Sequence, residues 1–213
     1  MNYLQSNFFE HAFNTLFNII ITDPPYKHCI HNKLGEEKFH PGEFMEKCYH
    51  ITETNAGLIV FTNFAMSLDL RLNTHGWKYH TYQIWDKRPT RTWISWTYPL
   101  RSCEFILYFT KGSFKFNFKD GTVKPAYKRN SFGGKLKETT PNKNKVSYGM
   151  FHEIVEIKNP RNKRHPTEKP REFSDMFKQI CGDVKVLDPF CGTGNLIASF
   201  TNHLGLDVKN WNE

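Results

Sequence analysis

Six residues, Phe17–Thr22 (FNIIIT), constrain this chain more than any others, because three consecutive isoleucines point to alternate faces and the run stops at Asp23-Pro24-Pro25-Tyr26. β-Branched side chains favour extended backbone, and apolar residues on both faces leave neither face for water. The segment therefore reads as a strand buried inside a parallel sheet. Proline lacks an N–H and has a fixed φ, so two in succession end the strand and forbid a helix. A stiff loop must leave the strand's carboxyl end.

The rest of the pattern alternates around that strand. Residues 2–5 are strand-like, and residues 8–16 have the spacing of an amphipathic helix with Phe9, Phe13 and Leu16 on one face. After a polar, His- and Lys-rich loop at 27–40, a helix is expected at 42–54, a second buried strand at 56–62 and a helix at 66–74. Strands follow at 78–85 and 104–109. From 113 to 164 the pattern dissolves into Lys, Asn, Gly, Thr and Pro, with strand-like pieces only at 114–118 and 154–157, as in an insertion. A helix at 171–181, a strand at 184–187, a Gly-rich turn, a helix at 195–203 and a strand at 204–208 complete the chain. With 213 residues this makes one α/β domain plus an insertion. The expected fold is doubly wound and Rossmann-like, a mostly parallel seven-stranded sheet with helices on both faces.

Near the C-terminus, Asp188-Pro189-Phe190-Cys191-Gly192-Thr193-Gly194 joins a strand to a helix. In an α/β sheet such a turn is where ligands bind, since glycine lets backbone approach and a helix start offers free N–H groups. A lone GxG pair serves equally as a tight connection. The neighbouring residues narrow the choice: Asp188 would repel a phosphate and attract an ammonium, Phe190 adds an apolar ring, and the third glycine of a dinucleotide motif is missing. Asp207, 19 residues after Asp188, has the spacing of an acid that takes ribose hydroxyls. A cationic sulfonium amino acid suits this turn better than a dinucleotide.

The loop after the first buried strand has complementary chemistry. Asp23 can accept a hydrogen bond from an –NH2 group, the Pro24 carbonyl can accept a second, and Tyr26 offers a flat face for stacking. Held by both protons, an exocyclic amine would have its lone pair turned out of conjugation and aimed at an electrophile. The plain alternative is a proline-stiffened turn with a surface aspartate.

The net charge of +8 is uneven: residues 111–169 hold 15 Lys/Arg against 5 Asp/Glu. Such a segment beside a near-neutral remainder is the footprint of a polyanion-binding surface, although Lys-rich loops also serve solubility. Lys128, Arg129, Arg161, Lys163 and Arg164 are its candidate phosphate or base contacts. Five cysteines without a C-x-x-C pair argue against a disulfide framework and for a reducing cytoplasm. His28, Cys29, His31 and His40 lack metal-ligand spacing, so no metal is expected. With neither a leader nor an apolar run of membrane-spanning length, a soluble cytoplasmic protein with no membrane partner is expected.

Four ordered blocks carry a resemblance. Asp-Pro-Pro-Tyr (23–26) comes first, then Trp85-Asp86-Lys87 with EFILYFTKG (104–112), then His165-Pro166-Thr167-Glu168-Lys169-Pro170, then DPFCGTG (188–194). In residues and in order the chain resembles the β-group of amino-DNA methyltransferases, the adenine-N6 and cytosine-N4 enzymes, over almost its whole length. The resemblance implies an S-adenosylmethionine (SAM)-dependent enzyme of circularly permuted order acting on DNA. Asp23, Pro24 and Tyr26, with Pro25 in the same motif, would hold a flipped target base. Asp188, Phe190, Gly192 and Gly194, with Cys191 and Thr193 in the same turn, would hold the methionine part of SAM, and Asp207 its ribose. Thr167 and Lys169 would join the cofactor pocket, Lys169 facing the SAM carboxylate. Two departures stand out: Ser6-Asn7 replaces the usual Gly-Asp pair, leaving Asn7 to hydrogen-bond the cofactor adenine, and a final helix common in relatives is expected to be missing or truncated.

On this resemblance residues 1–112 form the catalytic half, 113–164 a basic insertion for target recognition, and 165–213 the SAM-binding half. The expected reaction is in-line methyl transfer to an exocyclic amine, with adenine N6 favoured because cytosine-N4 members more often carry Ser-Pro-Pro-Tyr. The same chemistry would permit an RNA substrate, and a non-catalytic nucleic-acid-binding relic of the fold is a third reading. The expected setting is a prokaryotic or phage-infected cell, with room for a homodimer and for a cognate restriction endonuclease.

Overall fold

The computed structural model describes residues 2–25, 39–87, 102–126, 142–160 and 168–209. Its elements run β1 (Asn2–Gln5), β2 (Phe17–Thr22), α1 (Pro41–His50), β3 (Thr52–Thr62), α2 (Phe64–Leu72), β4 (Lys78–Asp86), β5 (Cys103–Lys111), β6 (Lys119–Ala126), β7 (Asn142–Met150), β8 (Ile154–Val155), α3 (Glu172–Cys181), β9 (Val186–Asp188) and β10 (His203–Asp207). The FNIIIT segment is a strand over the expected residues, with only Asn18 not fully buried. It lies inside an eight-stranded sheet ordered β1-β10-β9-β2-β3-β5-β4-β8, and β6 and β7 form a separate antiparallel ribbon. Neighbouring strands are parallel except around β5, which runs antiparallel to both β3 and β4.

Alternation along the strands builds two cores. Ile20, Leu58, Val60 and Leu187 face one layer, where Phe44 and Met45 of α1 and Met66 and Leu70 of α2 cover them. Ile19, Ile21, Ile59, Phe61 and Val186 face the other, under Phe173, Phe177 and Ile180 of α3. Each fully buried isoleucine contributes roughly 1.5–3 kcal/mol over an exposed one, and a one-residue slip would exchange the faces, so burial fixes the register.

The expected count of seven strands falls one short. β8 arises within the 113–164 stretch and pairs with β4 through Ile84↔Ile154 and Trp85↔Val155. The stretch is also tied in at its start: 114–118 is not a strand, but Phe116 and Phe118 pack edge-on against Tyr108 at 5.2 Å each. Residues 8–16 form turns and not a helix, because the Asn7 side chain takes the Phe9 N–H (3.0 Å) and Lys47 takes the Phe9 and His11 carbonyls (2.8 and 3.0 Å). Residues 195–203 hold only a 3₁₀ turn at Asn195–Ile197. There Ser174 accepts the Ser199 N–H and Asp183 the Thr201 N–H, which pulls the chain out of a helical path and back to β10. The helix expected at 42–54 ends at His50, where the Thr52 hydroxyl donates to the carbonyls of Cys48 and Tyr49 and β3 begins. Among the described residues no helix is long and apolar enough to cross a membrane.

β9 and β2 lie side by side and parallel, yet the chain leaves them in opposite directions, β9 towards β10 and β2 towards β3. Such a switch point opens a crevice at the carboxyl ends of the two strands, where α/β sheets bind ligands. Asp23 follows β2 there and Asp188 ends β9.

Candidate active site

A hydrogen bond from the Thr22 hydroxyl to Asp188 Oδ1 at 2.8 Å ties the two strand ends together. The Phe190 N–H donates to the same oxygen at 3.1 Å. The other oxygen, Asp188 Oδ2, is buried without a hydrogen-bond partner among the described residues. Burial pushes the Asp188 pKa up to about 8; the Thr22 and Phe190 hydrogen bonds work against this, and the charges of Asp23 and Asp207 add to it. A buried, orphaned carboxylate oxygen is what a cationic ligand group would satisfy.

The glycine turn wraps around this acid. Gly192 and Gly194 adopt positive φ (50° and 77°), which other residues adopt only under strain. A Cβ on Gly194 would collide with the Tyr3 ring, whereas one on Gly192 would meet nothing within 4 Å among the described residues, so Gly192 borders open space there. Asp207 reaches the same turn: its Oδ2 accepts the Gly192 N–H at 2.9 Å and its Oδ1 the Lys209 N–H at 3.0 Å. The Phe190 ring lies 5.7 to 6.4 Å from those of Phe8, Phe9, Phe39 and Phe44, an apolar cluster to which the Asn7 turn delivers two members. Cys191 is buried, and burial drives its thiol far up, away from nucleophilic use. Thr193 is buried with its hydroxyl on Glu168 Oε1 (3.1 Å), and Asn195 bridges Glu168 and the Lys169 carbonyl (3.0 and 2.9 Å).

Asp23 and Lys169 form an ion pair, and the same ammonium lies 3.2 Å from Glu104. Pro24 is buried and Pro25 partly so. Tyr26 and Thr167 lie outside the described residues, as do Lys128, Arg129, Arg161, Lys163 and Arg164, and also His28, Cys29 and His31. His40 precedes the first turn of α1.

An acid thus stands at each of two adjoining strand ends, one beside a glycine turn and one in a proline loop. The family model N6_N4_Mtase, DNA methylase, matches residues 17–203. The chain belongs to this DNA methylase family. Solved structures of the same fold include M1.HpyAVI in complex with SAM, 19% identical, covering 98% of this chain and 94% of that one with a TM-score of 0.65. TTHA0409 of Thermus thermophilus, described as a candidate DNA modification methylase, is 16% identical and covers 98% of this chain and 89% of that one, TM-score 0.59. No curated protein sequence matches the chain.

In the methylase, Asp23, Asp188, Gly192, Gly194, Asp207, Phe190 and Lys169 gather at one edge of the sheet, while Asn7 lies beside it with its oxygen on Phe9. Sequence reasoning missed Thr22, Glu168 and Asn195, whose partners are 166, 25 and 27 residues away. It also gave no role to Lys87 and Glu104, although both stand in the ordered motif blocks, and that was the available signal.

Proposed function

We propose that this methylase transfers a methyl group from SAM to the exocyclic amino group of a base flipped out of DNA, adenine N6 being the preferred target. The observation that carries the reading is the junction of Asp23 and Asp188 across the Thr22 hydrogen bond, which supports placing an amine and a cationic cofactor side by side.

SAM fits the residues present: among the described residues Asp188 Oδ2 lacks a partner, Gly192 borders open space, and Phe190 and Asp207 flank the turn. Asp188, Phe190, Cys191, Gly192, Thr193 and Gly194 would hold the methionine end, and Asp207 the ribose. Bound there, SAM supplies a methyl group made electrophilic by its sulfonium. The chain's own residues do the rest. Asp23 and the Pro24 carbonyl accept the two amine protons and turn the nitrogen lone pair out of the ring system, and Tyr26 stacks on the base to offset lost stacking in the duplex. Positioning of the nitrogen by Asp23 and the Pro24 carbonyl would supply the rate enhancement; the new N–C bond would replace the S–C bond of SAM, and Asp23 would accept the proton that the amine gives up. No enzyme nucleophile is needed, in keeping with the buried Cys191 thiol. Adenine is favoured because the acceptor is aspartate and not the serine more common in cytosine-N4 enzymes. Lys128, Arg129, Arg161, Lys163 and Arg164 serve the DNA backbone or bases.

The test is transfer of isotope-labelled methyl from SAM to unmethylated DNA, with RNA in parallel. The wild-type chain labels DNA and Asp23→Ala does not, by a factor of at least about 100 for loss of a positioned acceptor. Label in RNA alone, or in neither polymer, contradicts the reading.

A further inference from the structure

Four charged side chains from distant parts of the sequence meet in a line beside the proline loop: Asp23 after β2, Lys169 before α3, Glu104 in β5 and Lys87 after β4. Lys169 Nζ pairs with Asp23 Oδ2 and lies 3.2 Å from Glu104 Oε2, while Glu104 Oε1 accepts from Lys87 Nζ at 2.9 Å. The Lys169 side chain is only 6% exposed, and the ring centroids of Phe61 and Trp85 stand 5.3 and 5.9 Å from its ammonium. A cation held this far from water needs its charge met. Desolvation acts to lower the Lys169 pKa, but Asp23 and Glu104 outweigh it and hold the group above an ordinary lysine. Burial likewise acts to raise Glu104, and Lys169 and Lys87 bring it below an ordinary glutamate. Charges alternate along the line.

We propose that Lys169 and Glu104 are positioning residues of the substrate side: Glu104 anchors Lys169, and Lys169 fixes the orientation in which Asp23 receives the amine. A carboxylate has about four acceptor positions, so this pairing orients Asp23 without exhausting it. Lys169 is thereby assigned to the substrate and not to the SAM carboxylate, the role its motif suggested. The inference rests on the reading of Asp23 as the amine's acceptor.

The experiment compares wild type, Lys169→Met, Lys169→Arg, Glu104→Gln and the Met/Gln double variant by SAM Kd (calorimetry), single-turnover methylation at saturating SAM and DNA, and Tm. Lys169→Met and Glu104→Gln should slow the single turnover by about 10–100-fold while leaving SAM Kd within about threefold of wild type. Lys169→Arg should recover much of the rate. The double variant should be no slower than Lys169→Met, because Glu104 acts through Lys169. A SAM Kd weakened about tenfold or more with the saturated rate intact would assign the cation to the cofactor and overturn the inference. A lowered Tm with rate and Kd both intact would reduce the line to a structural clamp. If Lys169→Met does not fold, because it leaves two carboxylates facing each other, Glu104→Gln keeps shape and carries the same comparison. A wild-type chain that binds SAM but methylates no DNA removes the reading beneath the inference, and that failure is seen before any variant is made.

Discussion

Asp188 carries two consequences that depend on one atom's surroundings. Burial holds its folded-state pKa near 8 against an ordinary value of 3.8, so the folded chain retains a proton that the unfolded chain gives up. Its contribution to stability is thus full below about pH 4, is lost as pH rises, and is gone above about pH 8. Asp188→Asn, which keeps an oxygen for Thr22, should gain in Tm over wild type progressively from pH 4 to pH 8, as a pH series of thermal melts would record. A bound cation reverses the preference, so SAM binding should release a proton near pH 7 and tighten as pH rises to about 8, and Asp188→Asn should flatten that profile in calorimetry. The acids at 23 and 188 were legible in the sequence because each ends an apolar strand at a proline. Their connections through Thr22, Lys169 and Glu104 were not, since such pairs are set by which strand ends the sheet juxtaposes.

Within the glycine turn, two residues of the same type have different burdens. At Gly194 a side chain meets both a positive φ and the Tyr3 ring, so Gly194→Ala should destabilise the fold by about 2–4 kcal/mol in denaturant melts. Gly192→Ala carries the φ strain alone, about 1 kcal/mol, and should fold. Its Cβ would project into the space assigned to SAM, and a SAM Kd weakened about tenfold or more is the expected result, as for other substitutions that fill a bound ligand's space. The strands were readable because three isoleucines in sequence specify burial on both faces. The helices expected at 8–16 and 195–203 failed where side chains from other elements, Lys47 and Ser174 among them, took the backbone groups that a helix would pair internally.

At the scale of the whole molecule, β9 and β10 sit between β1 and β2 among the described strands, so the crevice is built from segments 166 residues apart, at Thr22 and Asp188. The α/β class was legible from alternation alone, whereas the eighth strand, Ile154–Val155, fell within the strand-like piece read at 154–157 but was not counted into the sheet, because so short a piece carries no sign of the strand it pairs with. The charge asymmetry supports a division of labour in which the basic stretch grips DNA and the sheet edge performs chemistry. Replacing Lys128 and Arg129 by Ala should weaken DNA binding across sequences and reduce the slope of log K against log salt by about 1 for each phosphate no longer neutralised, with SAM Kd unchanged. A weakened SAM Kd with an unchanged salt slope would contradict that division. The most direct test of the central claim, an amine held by Asp23 beside a cofactor held by Asp188, is the identity of the methylated nucleoside. DNA treated with the chain and labelled SAM, digested and resolved by mass spectrometry, should yield N6-methyl-2′-deoxyadenosine; a label on N4 of deoxycytidine would correct the base, and a label on ring carbon or no label in DNA would contradict the account.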